Sequence, residues 1–359
     1  MDSIIHKNMK STKVLVVATS RKTRGGITSV IKAHEYGSQW KEFNCEWIET
    51  VRDGNSVRKI FYLLKALILF IIKLPQSDII HVHSALGTSI IRKNIFISIG
   101  KLFNKKIILH FHAAEKTILD NSESNKAYRK IFNKANIIIV LSDSWKSLLI
   151  EKLKLDREKI RVLYNPTPKV NRSKIKKPII LFAGTLIKRK GYDTLIRAFN
   201  RIANKTSVKS WKLVLAGNGE IDNAKEMITK FHLENRVELP GWIDGEQKET
   251  LFKESSIFCL PSLAEGFPMA ILDAWAYGIP CVMTPVGGIP DIVTQDTEGI
   301  MVPVNDDTEL SNALLRLIES ESLRNNIVFN TDNRIRTDFN LTFISHQLNE
   351  IYTGLISNK

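Results

Sequence analysis

LPSLAEGFPMAILDAWAYGIPCV, residues 260–282, carries more chemistry than any other stretch of the chain. Just before it, Ile257–Leu260 is apolar on successive residues, as a strand covered on both faces must be. A loop follows, and helical spacing resumes over Ala270–Tyr277. Pro268 stands near that helix start, where a missing N–H leaves nothing unpaired. The run Gly266, Phe267, Pro268, Met269 therefore presents backbone N–H groups at a helix start, a place suited to a diphosphate or a sugar hydroxyl. Glu265 precedes it, and Asp273 lies eight residues further on, about two helical turns away. A lone glutamate in a loop is an ordinary surface residue. Strand, carboxylate, glycine, helix-start proline and second carboxylate in that order form a ligand site, because open α/β sheets bind beyond the carboxyl ends of their strands.

Working outward, the same strand–helix alternation fills the chain. Strands are expected at Ile179–Phe182, Lys212–Ala216, Val237–Leu239 and Pro280–Met283, with helices at Tyr192–Ile202, Asn223–Phe231, Gln247–Lys253 and Thr308–Ser320. The first half has strands at Val14–Ala18, Ile79–Val82, Lys106–Phe111, Ile137–Leu141 and Ile160–Leu163. Its helices are Ile27–Tyr36, Val57–Leu74, Thr88–Phe103 and Ser144–Leu155. Such alternation means βαβ units and parallel sheets. Between the halves, NPTPKVNRSKIKKP (165–178) is rich in proline and charge and reads as a connection. The expected architecture is α/β, two Rossmann-like doubly wound domains facing across a cleft, 1–172 and 173–359. Leu341–Ile356 is a last helix able to pack on either domain. The length of 359 residues fits two domains of ordinary size.

Three other loops after strands draw attention. TSRKTRGGITSVI places Gly25 and Gly26 at a helix start, open to close approach by an anion; a plain turn is the competing reading, since no G-x-G-x-x-G is present. ILHFHAAE puts His110 and His112 on one face of a strand. Buried structural histidines are the commoner case, and His112, nearer the loop, is the better site candidate. FAGTLIKRKGYDTLI sets Lys188, Arg189 and Lys190 before a helix, where a cation can meet a phosphate.

Charge is unevenly spread. Residues 1–170 hold 30 Lys+Arg and 14 Asp+Glu, while 171–359 hold 22 and 23, so the net +15 belongs to the first half. That half should face something anionic. A nucleic-acid partner is a rival reading suggested by charge alone and is not expected, because no basic stripe is interleaved with aromatic residues and no recognisable module is present. The helix Val57–Leu74 is apolar with Arg58, Lys59, Lys65 and Lys73 around it, and Arg92, Lys93, Lys101, Lys105 and Lys106 add charge near the next helix. Its apolar face is expected to pack on the sheet, with contact to an anionic membrane as the rival use. Its apolar run is too short to span a bilayer. Cys45, Cys259 and Cys281 are too scattered for a disulfide framework or a metal cluster. The leading MDSIIHKNMKSTK has no apolar signal region, so the cytosolic side is expected, peripheral to the membrane if that contact forms.

At this point the motifs resemble a family. AGTL…KG (183–191), LAGNGE (215–220), LPGW (239–242), the 260–282 stretch and GGIPDIV (287–293) are similar to the donor domain of the retaining glycosyltransferases of family 4, which have the GT-B fold. RGGITSV, DIIHVHSA and ILHFHAAE match the first domain more loosely. The resemblance implies transfer of a sugar from a nucleotide sugar, UDP-linked by family frequency, to a saccharide or lipid-linked saccharide acceptor in bacterial surface polysaccharide or glycolipid assembly. It implies an acceptor-binding first domain and a donor-binding second. It assigns Glu265 to the donor sugar, Asp273 to the ribose, Lys190 to the diphosphate, Gly25 and Gly26 to a loop over the diphosphate, His112 to the reacting region and the loop at Trp242 and Ile243 to the base. Asp273 stands where the family has Glu, and Thr185 where it has an arginine; Arg189 is the candidate replacement for that charge. No D-x-D occurs in the sequence, so no metal cofactor is expected, and Lys190, Arg189 and backbone amides near Gly26 and Phe267 would neutralise the leaving group. A nucleotide-sugar epimerase of the same fold, and a binding protein that has lost activity, are the competing readings.

Overall fold

The computed structural model describes residues 12–113 and 116–357. The leading residues 1–11 and positions 114–115, quoted above, lie outside them. The chain divides into two compact units, residues 1–166 with 338–359, and residues 167–337.

The first unit is built on six parallel strands: β1 Val14–Ala18, β2 Glu46–Glu49, β3 Ile79–Ser84, β4 Lys106–Phe111, β5 Ile137–Val140 and β6 Ile160–Val162. They lie in the order β2-β1-β3-β4-β5-β6. Its helices are α1 Gly26–Glu35, α2 Ser38–Glu42, α3 Ser56–Lys73, α4 Thr88–Leu102, α5 Ser122–Phe132 and α6 Asp143–Leu153. Side-chain caps start several of them: Asn55 Oδ1 accepts from the Arg58 N–H at 3.0 Å, and Ser142 Oγ from that of Trp145 at 3.2 Å. One sheet face packs Leu15, Val17, Val82 and Leu109 against Phe70, Phe96 and Trp145. The other packs Val14, Val16, Ile79 and Ile108 against Ile31, Phe43 and the last helix, Leu341–Ser357, through Ile344, Leu348 and Tyr352.

The second unit repeats the plan with β7 Lys177–Ala183, β8 Lys212–Ala216, β9 Val237–Gly241, β10 Ser255–Leu260, β11 Cys281–Met283 and β12 Ile300–Met301. Their order is β12-β11-β10-β7-β8-β9, and the named pairs are parallel. Helices α7 Tyr192–Ile202, α8 Ile221–Lys230, α9 Gly245–Glu254, α10 Met269–Ala276, α11 Asp307–Glu319 and α12 Glu321–Arg334 surround it. Cys259 and Cys281 are buried and free, as is Cys45 in the first unit.

Two sequence expectations need correction. The division falls at 166/167, not at 172, because the connecting segment is already tied to the second unit. Arg172 donates to the carbonyls of Ala276 and Trp275 at 2.7 and 2.9 Å and pairs with Asp332 at 2.5 Å. Helix α3 does not turn all its apolar residues onto the sheet. Ala66 and Phe70 are buried, whereas Val57, Ile60, Phe61, Leu64 and Ile68 are exposed.

Candidate active site

In the second unit, β10 ends at Leu260 and the chain turns sharply through Pro261 to Pro268. Gly191 makes room for that turn. It has φ +70°, and a Cβ on it would lie 2.0 Å from the Pro261 carbonyl oxygen, so only glycine fits. Glu265 is buried in the loop at 5% exposure. Its Oε1 accepts from Ser262 Oγ at 2.6 Å and from Lys190 Nζ at 2.5 Å. Thr284 Oγ1 in turn donates to the Ser262 carbonyl. A carboxylate this deep needs a cation and a second donor, and it has both.

Arg189 ties the loop from the other side. Its Nη1 donates to the Ala264 carbonyl at 2.7 Å, and its own carbonyl accepts from the Leu263 N–H at 2.7 Å. The guanidinium thus braces the Glu265 loop, and Thr185, at the position of the missing family arginine, is exposed. Beyond Gly266 and the buried Phe267, Pro268 is the N-cap of α10 and no side chain caps its first turn. Met269 opens the helix. One turn past Met269 the sequence reaches Asp273, whose Oδ2 is held by Lys248 Nζ of α9 at 2.6 Å. Both line a 580 Å³ groove with Pro168, Val170, Gly245 and Tyr277. Ile243, expected at the base, is buried at 8% exposure two residues after Gly241.

In the first unit, Gly25 is the N-cap of α1, at φ 130°, and a Cβ there would meet nothing within 4 Å. Gly25 and Gly26 are exposed, so a ligand can approach the backbone closely. His112 follows β4 and is half-buried. It does not stand alone. His112 Nε2 and His83 Nδ1 are 3.0 Å apart, and His81 Nε2 and His110 Nδ1 are 3.2 Å apart. The two pairs stack face to face, with centroids 4.4 Å apart for His81 on His83 and for His110 on His112. The parallel register of β3 and β4, with His83 opposite His110, makes this box of rings. Tyr352 of the last helix closes one end, its hydroxyl 2.7 Å from His81 Nδ1.

Burial, then Lys93 and His34, depress His112 to a pKa of about 3, and burial brings His34 to about 4. His81, His83 and His110 lie well below 6.5 for the same first cause. These imidazoles are neutral at pH 7. His81, His83 and His110 bring ring nitrogens within 4.8 Å of one another, the spacing that could hold a metal ion. His81 bonds Tyr352 and His110 through its two nitrogens and His83 Nδ1 meets His112, whereas His110 Nε2 is buried without a partner; no carboxylate joins the group among the described residues.

Lys93, expected to charge the surface of α4, is fully buried, and its ammonium donates to the His83 carbonyl. Burial, then the neighbouring Arg92, lowers its pKa to about 7.

Comparison with known proteins places the whole arrangement. Residues 165–334 match the family model "Glycosyl transferases group 1", and residues 23–168 match "Glycosyltransferase Family 4". The chain is a member of glycosyltransferase family 4. The enzyme is 26% identical over 334 residues to the UDP-Gal:alpha-D-GlcNAc-diphosphoundecaprenol alpha-1,3-galactosyltransferase of Escherichia coli, covering 88% of this chain and 83% of that one. It is 26% identical over 294 residues to the N-acetyl-alpha-D-glucosaminyl L-malate synthase of Bacillus anthracis, covering 78% and 75%. Its fold is that of the sucrose-phosphate synthase of Thermosynechococcus elongatus, with TM-score 0.81, 16% identity and 97% and 100% coverage. It is also that of Anabaena Alr3699/HepE in complex with UDP, with TM-score 0.75, 19% identity and 96% and 100% coverage. The glycosyltransferase therefore has the GT-B fold.

Of the residues singled out in the sequence, Glu265, Lys190, Arg189, Gly266, Phe267, Pro268 and Met269 cluster at one strand end of the second unit. Asp273 sits on the α10 helix behind them, Ile243 lies after β9, and Gly25, Gly26 and His112 belong to the first unit. Ser262, Lys248, His83 and Tyr352 escaped the sequence reading. Ser262 stands three residues before Glu265, a spacing short enough to be a local sequence signal for its hydroxyl bond to the carboxylate. The other three act across elements, and nothing local in the sequence announces them.

Proposed function

We propose that the enzyme transfers a sugar, with retention, from a UDP-linked donor to a lipid-linked saccharide in bacterial surface polysaccharide assembly, working at the cytosolic face of a membrane and without a metal ion. The Lys190–Glu265 pair carries this reading. A nucleoside diphosphate leaves with growing negative charge, and Lys190 is a cation held in place beside the loop that opens α10. The sequence offers no D-x-D for a metal to do that work. The E. coli galactosyltransferase, similar over most of both chains, supports a lipid diphosphate acceptor by its name.

In the proposed reaction the bond between the anomeric carbon and the diphosphate oxygen breaks, and its electron pair leaves with the diphosphate. The acceptor hydroxyl attacks from the same face and gives its proton to the departing phosphate. Lys190 and the uncapped first turn of α10 meet the phosphates, and Asp273 with Lys248 meets the ribose. Glu265 holds Lys190 and faces the sugar. In the first unit, neutral His112 offers a ring nitrogen to the acceptor saccharide.

The test is transfer from a panel of UDP-sugars to short lipid diphosphate saccharides in EDTA, with the anomeric configuration read by NMR. A new glycosidic bond of unchanged anomeric configuration is expected. A strict metal requirement, an inverted product, or donor epimerisation without acceptor would each overturn the corresponding part.

A further inference from the structure

Helix α3 is apolar on two opposite sides. Ala66 and Phe70 enter the core of the first unit, with Leu63 and Leu67 packed against it. On the other side Val57, Ile60, Phe61, Leu64, Ile68 and Ile72 follow helical spacing, and each is more than half exposed. A helix already packed through one face gains nothing inside the unit from a second apolar stripe, and a stripe of this extent marks a contact surface. Helix α4 widens it. Phe70 and Phe96 meet edge to face at 5.1 Å, so the two helices touch through these rings. Ile91 and Leu102 of α4 and the following Phe103 are also exposed.

The charge around this surface names its occupant. Residues 56–113 contain nine Lys+Arg, of which Lys93 is buried and Lys73 pairs with Glu46, and one acidic residue, Asp78, whose carboxylate accepts the Lys13 N–H at 3.1 Å. Arg58, Lys59, Lys65 and Lys101 are exposed and have no acidic partner among the described residues. A second copy of the chain would bring the same positive charge against them. An anionic lipid surface supplies both an apolar layer for the stripe and negative head groups for the flanking cations. No helix among the described residues is long and apolar enough to cross a membrane, so the geometry is that of a helix lying on the surface.

We infer that the exposed stripe of α3, extended by Ile91, Leu102 and Phe103, docks the enzyme in the interface of an anionic bilayer. This deepens the proposed lipid-linked acceptor and rests on it for its purpose. The first turn of α4 links the surface to the site. The His112 N–H donates to the Ser84 carbonyl at 2.8 Å, and Ser84 Oγ lies 3.2 Å from Ser89 Oγ in that turn. An acceptor whose lipid stays in the bilayer beside α4 thus has its saccharide at the end of β3 and β4 without leaving the membrane.

Flotation with vesicles tests this directly, using the full chain and phosphatidylcholine alone or mixed with phosphatidylglycerol. The enzyme should float with the anionic vesicles, stay behind with the neutral ones, and release as salt rises. The triple substitution Ile60→Asp, Phe61→Asp, Leu64→Asp should lower bound protein at least about tenfold. Lys59→Glu with Lys65→Glu should lower it several-fold. Because these side chains are exposed, both variants should melt within a few degrees of wild type. Wild-type protein left behind with both vesicle types overturns the inference. So does a wild-type dimer that the triple substitution dissolves, since the surface would then belong to a second copy. Loss of vesicle binding with transfer to a water-soluble acceptor intact leaves the transferase reading standing, so the two can fail separately.

Discussion

A Cβ at position 287 would lie 1.9 Å from the Glu265 carbonyl oxygen and 2.8 Å from that of Gly266, at a backbone φ of +63°. The Gly288 N–H donates to that Gly266 carbonyl at 2.8 Å. The loop that presents Glu265 is therefore fitted against bare backbone. Gly287→Ala should push it away, costing roughly 2–4 kcal/mol of stability in the second unit and at least about tenfold in kcat; wild-type kcat in the variant would show that the loop is not so constrained. Glu265→Gln removes the charge that holds Lys190 and should lower kcat by roughly a hundredfold or more. Lys190→Met should do likewise, and the double variant should be little worse than either, because the two act as a unit. Additive losses would contradict that coupling. The sequence made Glu265 and Lys190 legible separately, each as a residue type after a strand. Their 2.5 Å pairing spans 75 residues, and no local pattern carries a contact of that range.

At the scale of elements, periodicity identified α3 and most strands within a residue or two, since a buried parallel strand must be apolar throughout. It did not identify β2, whose Glu-Trp-Ile-Glu is only four residues and half polar, nor α12, whose apolar residues are sparse. Nor can a helical period say which of two apolar sides turns inward; for α3 the neighbours Phe96 and the sheet decide it. The histidine box is a similar case. Alternation on β3 and β4 places His81, His83, His110 and His112 on one face, but the ring-to-ring bonds follow from the register between the strands. Tyr352, 271 residues from His81, fixes one end from the last helix. Tyr352→Phe keeps the ring packed against Phe43 and removes only the hydroxyl. It should destabilise the first unit by about 1–2 kcal/mol, visible as a lower melting temperature. An unchanged melting temperature would mean the hydroxyl contributes nothing net.

Over the whole molecule, chemistry and charge are divided between the units. The second is close to neutral in sequence, and its Arg172, Lys190 and Lys248 are held on carboxylates. The first carries the basic surface, and it also buries five histidines, His34, His81, His83, His110 and the half-buried His112, against one histidine, His232, in residues 167–337. That contrast sets their response to acid. Each of the five has a folded pKa below its ordinary 6.5, so the unfolded chain binds more protons between the two values. Stability is therefore full above about pH 6.5 and is lost as pH falls toward the folded values, about 1.4 kcal/mol per pH unit for each group. The first unit should lose protection before the second on going from pH 7 to 5.5. Hydrogen exchange would read this as early opening of β3 and β4 peptides relative to β7 and β10. His34 offers the sharpest check, because both its ring nitrogens are buried without a partner. His34→Leu removes an unsatisfied polar ring and one titrating group together. It should stabilise the first unit by roughly 1 kcal/mol at pH 7 and by more at pH 5.5, flattening the acid slope by about one proton. A variant less stable at pH 5.5 than wild type would mean that His34 is held by a bond its surroundings do not reveal.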